Sequence, residues 1–359
     1  MRKVLSLFMV LVMIAAFASG CSQGNKSEET GKGTPEVTSA GEDTVEASTP
    51  TAAPAELKVI TVGYMPNYAS MCTVVAGIQM NYFEEQGLKV NLVEFADGPT
   101  IIAAMESGAV DIGYIGPGAH KLCIQGKAKI FAFSHYGNAD AVIGSASKGV
   151  SKIEDLKGKK IAMASGTTSE TILNLTLAKG GLTKEDVEIL DMDASAIVTA
   201  MISRSVDACA TWSPNTNSIK EELGSDAVTL TTNVDFTDIS PSICSWIANP
   251  NYIDANADDI LSFTKALYKA MDYRAQEANI DQVVEWVADQ VALDVESVAA
   301  QKGDGDWETA DELIAMINDG SLEKAFQAQQ DNFITSGDVK EKVAVSDYVM
   351  FQNMLDAAK

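Results

Sequence analysis

The chain has 359 residues, 46% of them hydrophobic, 21% charged and 7% aromatic, the make-up of a globular protein with one large domain or two linked ones. Lys and Arg total 26 against 50 Asp and Glu, a formal net charge of -24; this excludes general nucleic-acid binding, because a phosphate backbone would be repelled, and argues against docking on an anionic membrane through basic patches. The five Cys (Cys21, Cys72, Cys123, Cys209, Cys244) form no CxxC or Cys/His cluster and only His120 and His135 are present, so a metal centre, a disulfide framework, a His-based triad and a cofactor are all unexpected.

The N-terminus reads Met1-Arg2-Lys3, then an apolar run from Val4 to Phe17, then Ala18-Ser19-Gly20-Cys21. A positive start, an apolar core and small residues before a break are the parts of an export signal. The apolar run is shorter than the ~20 residues a membrane-spanning helix needs. The ending resembles the lipobox of bacterial lipoproteins, which implies cleavage of residues 1–20, acylation of Cys21 and tethering at the extracytoplasmic face of the cell membrane. Residues 21–56 then read as a lipidated Cys and a disordered linker. Ser, Thr, Glu, Gly, Ala and Pro dominate this stretch, without an aromatic residue, so it cannot bury enough apolar surface to offset its chain entropy. Its reach as a coil is on the order of 30 Å.

From Leu57 strand and helix signals alternate. Lys58–Tyr64 reads as a strand, Thr73–Gln86 as a helix closed by Gly87, and Val90–Phe95 as a second strand. After the turn Asp97-Gly98-Pro99 comes a helix from Thr100 to Ser107, a third strand over Val110–Ile115, and a helix over Ala119–Gln125 behind Gly116-Pro117-Gly118. The pattern restarts with strand Ile161–Ala164, the segment Ser165–Ser169 opening a helix to about Lys179, strand Val187–Leu190, helix Ile197–Ser203 and strand Val206–Ala210. Glu106-Ser107-Gly108-Ala109-Val110-Asp111 and Ile202-Ser203-Arg204-Ser205-Val206-Asp207 share one shape, a helix end, a tight turn and a strand opening with Val-Asp. Two similar α/β lobes with parallel sheets follow. Beyond Asp258 the chain is largely helical, with amphipathic stretches over Ile260–Ala275 and Gln282–Gln290.

Tyr64-Met65-Pro66, Phe83–Leu88, Ala103–Tyr114, Ile153–Ala162 and Ser205–Ala208 stand in an order and spacing that resemble the nitrate/sulfonate/taurine-type solute-binding proteins of bacterial ABC importers, relatives of the thiamine-pyrimidine-precursor binders. The resemblance covers Leu57 to Tyr252 well and the helical tail loosely. It implies a two-lobed periplasmic-binding-protein-like clamp of α/β class: lobe 1 from residues 57–138 and 241–359, lobe 2 from 139–240, and a ligand cleft between them that closes on its solute. Its expected partners are a small-molecule ligand and the permease and ATPase subunits of an importer. The expected state is a tethered monomer, with no chemistry done on the solute.

In open α/β sheets the loops at the carboxyl ends of strands gather in one crevice. Here they are Tyr64–Ser70, Ala96–Thr100, Gly116–Ala119, Ser165–Ser169 and Asp191–Ser195. Candidate ligand contacts are Tyr64, Asn67 and Tyr68 in the first, Asp97 and Gly98 in the second, Gly116 and Pro117 in the third, Gly166, Thr167, Thr168 and Ser169 in the fourth, Asp193 in the fifth, and Trp212 beyond the last strand. Free amides at helix N-termini suit a sulfonate or nitrate, although Ser and Thr there also serve as helix caps. Tyr64, Tyr68 and Trp212, in polar loop contexts, are preferred as ligand walls over Tyr114, Tyr136 and Trp246, and His135 reads as a core or surface residue.

Asp97, Glu170, Asp191 and Asp193, with Asp235 and Asp238, make the candidate loops acidic, and Lys121 and Arg204 are expected to point elsewhere. Carboxylates favour an amine, unless they merely belong to an acidic surface. Taurine or another small organic sulfonate is the leading ligand, with a cationic or heteroaromatic amine such as a thiamine-pyrimidine precursor, or a nitrate-type anion, as alternatives. A ligand sensor or a pyrimidine-precursor enzyme is more distant, since no nucleophile is paired with a base.

Overall fold

In a computed structural model the described residues run from Glu56 to Lys359; the export signal, Cys21 and all of the linker but Glu56 lie outside them. Strands β1 (Lys58–Tyr64), β2 (Leu88–Glu94), β3 (Ile112–Ile115), β4 (Lys129–Gly137), β10 (Ile243–Ala248) and β11 (Gly305–Asp306) form one sheet in the order β11-β4-β10-β3-β1-β2. Strands β5 (Ala141–Ser145), β6 (Lys160–Met163), β7 (Glu188–Asp191), β8 (Ala208–Thr211) and β9 (Ala227–Thr232) form the other in the order β7-β6-β8-β5-β9. Each sheet with its helices is one lobe of a mixed α/β clamp.

Neither sheet is purely parallel, a correction to the sequence expectation. β1 pairs parallel with β2 and β3, but β10 pairs antiparallel with β3 and β4. In the second sheet β5 runs antiparallel to β8 and β9. The cause is the crossover itself: β5 enters the second lobe, and β10 re-enters the first, at the end where the other strands finish.

Within each lobe the local signals act through capping. Helix α1 (Tyr68–Gln79) begins five residues before the expected start because Asn67 accepts the Ser70 N–H at 2.9 Å. It ends before Asn81, whose φ is 60°, and a short 3-10 turn covers Glu84–Gln86. Asp97 caps α2 (Gly98–Glu106), α3 covers His120–Ile124, Thr167 caps α4 (Thr168–Lys179) and Asp193 caps α5 (Ala194–Ile202). The repeated Val-Asp now has a structural cause. The Asp111 carboxylate accepts the Thr61 N–H at 2.8 Å and the Asp207 carboxylate accepts the Lys160 N–H at 2.9 Å, so Asp111 ties β1 to β3 and Asp207 ties β6 to β8.

The larger core lies in the first lobe, where Trp246, Phe131, Phe133 and Phe263 are fully buried. The helices Ala257–Ala275 and Glu277–Val291 pack on α1, and Phe83 meets Phe263 at 4.7 Å between ring centroids. Ile161, Leu173 and Leu177 fill one face of the second sheet and Ile143, Ile197 and Met201 the other. None of the helices among the described residues is long and apolar enough to cross a membrane.

The chain crosses between lobes at residues 138–140 and again at 233–242. Asn233 braces the two crossings: its side-chain oxygen accepts the Asp140 N–H at 3.1 Å and its side-chain nitrogen donates to the Gly137 carbonyl. The Gly137 N–H donates to the Ser242 carbonyl at 2.7 Å, which leaves paired strands of a few residues as the hinge.

Candidate functional site

Between the lobes lies a cleft of about 600 Å³, part of it open to solvent. The first lobe lines it with Met65, Asn67 and Ala69 after β1, with Asp97, Gly98 and Pro99 after β2, and with Tyr114, Gly116, Pro117 and Ala119 at and after β3. The second lobe contributes Thr167 and Thr168 after β6 and Trp212 and Ser213 after β8. The hinge side is closed by His135, Gly137, Ala139 and Asp140, by Ser242 and Cys244, and by Asp304 from the C-terminal helical region. The crevice at the carboxyl ends of the strands is thus where ligand can be enclosed.

The expected contacts divide. Asn67, Asp97, Gly98, Gly116, Pro117, Thr167, Thr168 and Trp212 stand on the cavity wall. Tyr64, Tyr68, Gly166, Ser169 and Asp193 do not. The Tyr64 hydroxyl turns to Glu94 at 3.4 Å. Tyr68, preferred as a loop residue, is in α1 and fully buried, with its ring edge-on to Trp307 and its hydroxyl oxygen 3.3 Å from the Arg274 Nε that donates to it. Gly166, at a φ of +79° that favours glycine, makes the turn and approaches Pro99. Ser169 is buried, donating to the Ala210 carbonyl at 2.6 Å and accepting the Ala164 N–H at 3.0 Å. Asp193 is exposed and occupied as a cap, accepting from the Ala196 N–H at 2.8 Å.

Three of the amides in the expected anion site at Ser165–Ser169 are engaged from within. The Ser165 N–H donates to Asp191 at 2.9 Å, the Gly166 N–H to Glu170 at 3.0 Å and the Ser169 N–H to the Thr167 hydroxyl at 3.2 Å. On the other lobe Asp97 holds the Thr100 N–H at 2.8 Å. Asp235 caps its own turn through the Thr232 N–H at 2.8 Å.

Among the described residues no Lys or Arg lines the cavity, and its charged residues are Asp97, Asp140 and Asp304. Lys121 pairs with Glu170 at 2.8 Å and Arg204 with Asp226 at 3.1 Å, both outside the lining. Burial pushes the Asp140 carboxyl up to about 7, partly offset by the Ser242 hydroxyl at 3.4 Å and reinforced by the charge of Asp304. Burial likewise raises Asp304 to about 6 against the effects of Ser213 and Lys220. His135 is held neutral, at about 3, by burial and by the nearby Arg274. The site is therefore uniformly acidic, and its strongest unmet demand is for a positive charge or an N–H donor.

Flat surface accompanies the acids. Tyr114 stacks on His135 with an interplanar angle of 12°, and half-buried Trp212 faces the cavity from the other lobe. Tyr114, His135, Asp140, Ser213, Ser242, Cys244 and Asp304 were not among the expected contacts. Tyr114 at the end of β3, and His135 and Asp140 beside the crossing, carried a positional signal; Asp304, in the helical tail, carried none.

The lobes touch along one edge of the cavity. Gly118 lies against the Thr167–Thr168 peptide so closely that a Cβ there would stand 2.1 Å from the Thr167 carbonyl carbon. Beside it the Lys121–Glu170 pair spans the lobes, with side chains only 11% and 13% exposed. Burial raises the Glu170 carboxyl, but hydrogen bonds from Lys121, Gly166 and Lys184 outweigh it and hold the group at about 2.

Residues 68–279 match the family model described as NMT1/THI5 like. A Brucella abortus (strain 2308) protein named only as a binding protein is 32% identical over 301 residues, 84% of this chain and 93% of its own length. The taurine-binding periplasmic protein of Escherichia coli (strain K12) is 26% identical over 200 residues, 55% of this chain and 61% of its own. Among solved structures, the alkanesulfonate-binding protein SsuA from Xanthomonas axonopodis pv. citri bound to MOPS superposes with a TM-score of 0.66 at 21% identity, covering 82% of this chain and 99% of that one.

Proposed function

We propose, from the premise that this chain belongs to the NMT1/THI5-like family and is a solute-binding protein, not an enzyme, that it captures a small organic amine between its lobes and delivers it to an ABC importer. Residues 57–138 with 241–359 form one jaw and residues 139–240 the other. Cys21 carries the lipid anchor, residues 22–56 the tether, and the protein works at the extracytoplasmic face beside its permease and ATPase. What supports a binding role over catalysis is the chemistry of the wall. Cys244 is buried with its thiol pushed up to about 12 by burial, and His135 is neutral and stacked, so the cavity's thiol and imidazole do not make an activated nucleophile–base pair.

The observation that carries the ligand class is the cavity wall of three carboxylates and no Lys or Arg. A cationic amine or an amino-substituted heteroaromatic, such as a pyrimidine precursor of thiamine, would pair with Asp140 and Asp304 and lie against Tyr114 and Trp212. Bare nitrate or an alkanesulfonate would meet those carboxylates without a compensating cation. Taurine is the second reading, favoured by the taurine-binding relative and by its ammonium group, but its sulfonate finds the amides of Ser165 and Gly166 already engaged by Asp191 and Glu170.

A thermal-shift screen of residues 57–359 tests this, because a ligand that binds only the native state stabilises it by mass action, about 2.7 kcal/mol at 100 times Kd. Aminopyrimidines, benzylamines, taurine, alkanesulfonates and nitrate form the panel. Amines are expected to raise Tm and nitrate to leave it unchanged. A shift produced by alkanesulfonates and by no amine refutes the proposed ligand class.

A further inference from the structure

A second recess of about 260 Å³, part of it open to solvent, adjoins the main cavity, and the two share Pro117, Asp140, Thr168 and Ser242 in their walls. Asp140 therefore stands at the waist between two chambers. Helix α4 supplies Thr171, Ile172 and Leu175 to the side chamber, and the return crossing supplies Asn233, Ser240 and Pro241. Two of the polar side chains there are engaged, since Asn233 braces the crossings through both ends of its amide and the Ser240 hydroxyl lies 3.4 Å from the Asn332 side-chain nitrogen that donates to it, while Thr168 and Thr171 add hydroxyls to the wall. Asp140 is the sole charged residue in the wall. The chamber thus offers apolar surface from Ile172, Leu175 and Pro241, immediately beside a carboxylate with no cationic partner.

We propose that this side chamber is a second compartment of the binding site, and that the solute is a substituted amine. Its nitrogen sits at Asp140, its planar part lies in the main cavity between Tyr114 and Trp212, and a short aliphatic arm enters the side chamber. The inference rests on the amine reading above and adds the shape of the ligand to it. The physical reason is a division of labour between walls. A carboxylate at a waist is met by a charge in the middle of a molecule, whereas a terminal ammonium would leave the Ile172–Leu175 surface without a partner. The arm would also touch both lobes, Pro117 on one side and α4 on the other, so that its burial favours the closed clamp.

Isothermal titration calorimetry at pH 8 with benzylamine and its N-methyl, N-ethyl and N-propyl homologues tests the proposal. Affinity is expected to rise up to about fourfold per added carbon, at least about tenfold from benzylamine to the N-propyl compound. Leu175→Trp, which fills the chamber, is expected to bring that ratio to about 1, and Thr171→Leu, a milder filling, to lower it part of the way. A flat or falling series in the wild type, or a ratio that neither substitution changes, overturns the side chamber while leaving the amine reading standing. Binding by no member of the series overturns both.

Discussion

Asp140→Asn separates what the site costs the fold from what it gives the ligand. The Asp140 carboxyl is raised from 3.8 to about 7, chiefly by burial, a difference equivalent to about 4 kcal/mol at 1.36 kcal/mol per pH unit. With the pKa higher in the folded state, the native protein holds a proton that the unfolded chain lacks between pH 3.8 and about 7, so stability falls as pH rises through that window. The cost is absent below pH 3.8 and complete above about 7. Asn has the same shape, can keep the Ser242 hydrogen bond and carries no charge. Urea unfolding of the ligand-free protein at pH 4, 5.5 and 8.5 should therefore show the variant more stable than the wild type by about 2–4 kcal/mol at pH 8.5, with the gap closing toward pH 4. Taking the difference between the two proteins removes the parallel effect of Glu308, which burial also raises, and the opposing effect of His135, held low, while the coupling of Asp304 to Asp140 stays within the difference. Amine binding should move the other way. The variant should lose at least about tenfold in affinity at pH 8, and wild-type affinity should fall as pH drops below about 7 and the carboxylate takes up its proton. A variant that is less stable at every pH, or a gap that ignores pH, would refute the reasoning.

Gly118→Ala should act on closure. Its Cβ would collide with the Thr167 backbone of the other lobe, so ligand affinity should drop at least about tenfold while the melting temperature of the free protein stays within a few degrees; unchanged affinity would mean the lobes do not meet there when ligand is bound. Lys121→Met removes the interlobe pair with Glu170 but leaves Glu170 its bonds to Gly166 and Lys184. Stopped-flow measurements should show ligand release faster by about three- to tenfold, corresponding to roughly 1 kcal/mol, with the association rate nearly constant. Asp193→Asn should leave amine affinity unchanged and stability within a few tenths of a kcal/mol, because Asn caps a helix about as well as Asp; a tenfold loss by calorimetry would return Asp193 to the site.

Much of the fold was legible because its determinants are local. The alternation in Lys58–Tyr64 and the capping signal of the Ser and Thr residues before α4 act over a few residues, so they show in the sequence. Asn67 shows the limit of that reading: by starting α1 at Tyr68 it turned an expected ligand wall into a core residue. The antiparallel β10 was hidden for a different reason, since a strand's direction depends on where its chain re-enters the sheet and not on its own residues.

Acidity, the two-lobed repeat and the crevice at the strand ends came from sequence alone. Which groups face that crevice was decided only by tertiary structure, because hydrogen-bond demand is met across the whole fold. Asp191 reaches back 26 residues to take the Ser165 amide, which removes one donor from the expected anion site. Asp304 comes from the far end of the chain to stand beside Asp140. Burial then raises those two carboxyls beside the cavity, a consequence of their surroundings that a list of residues does not show.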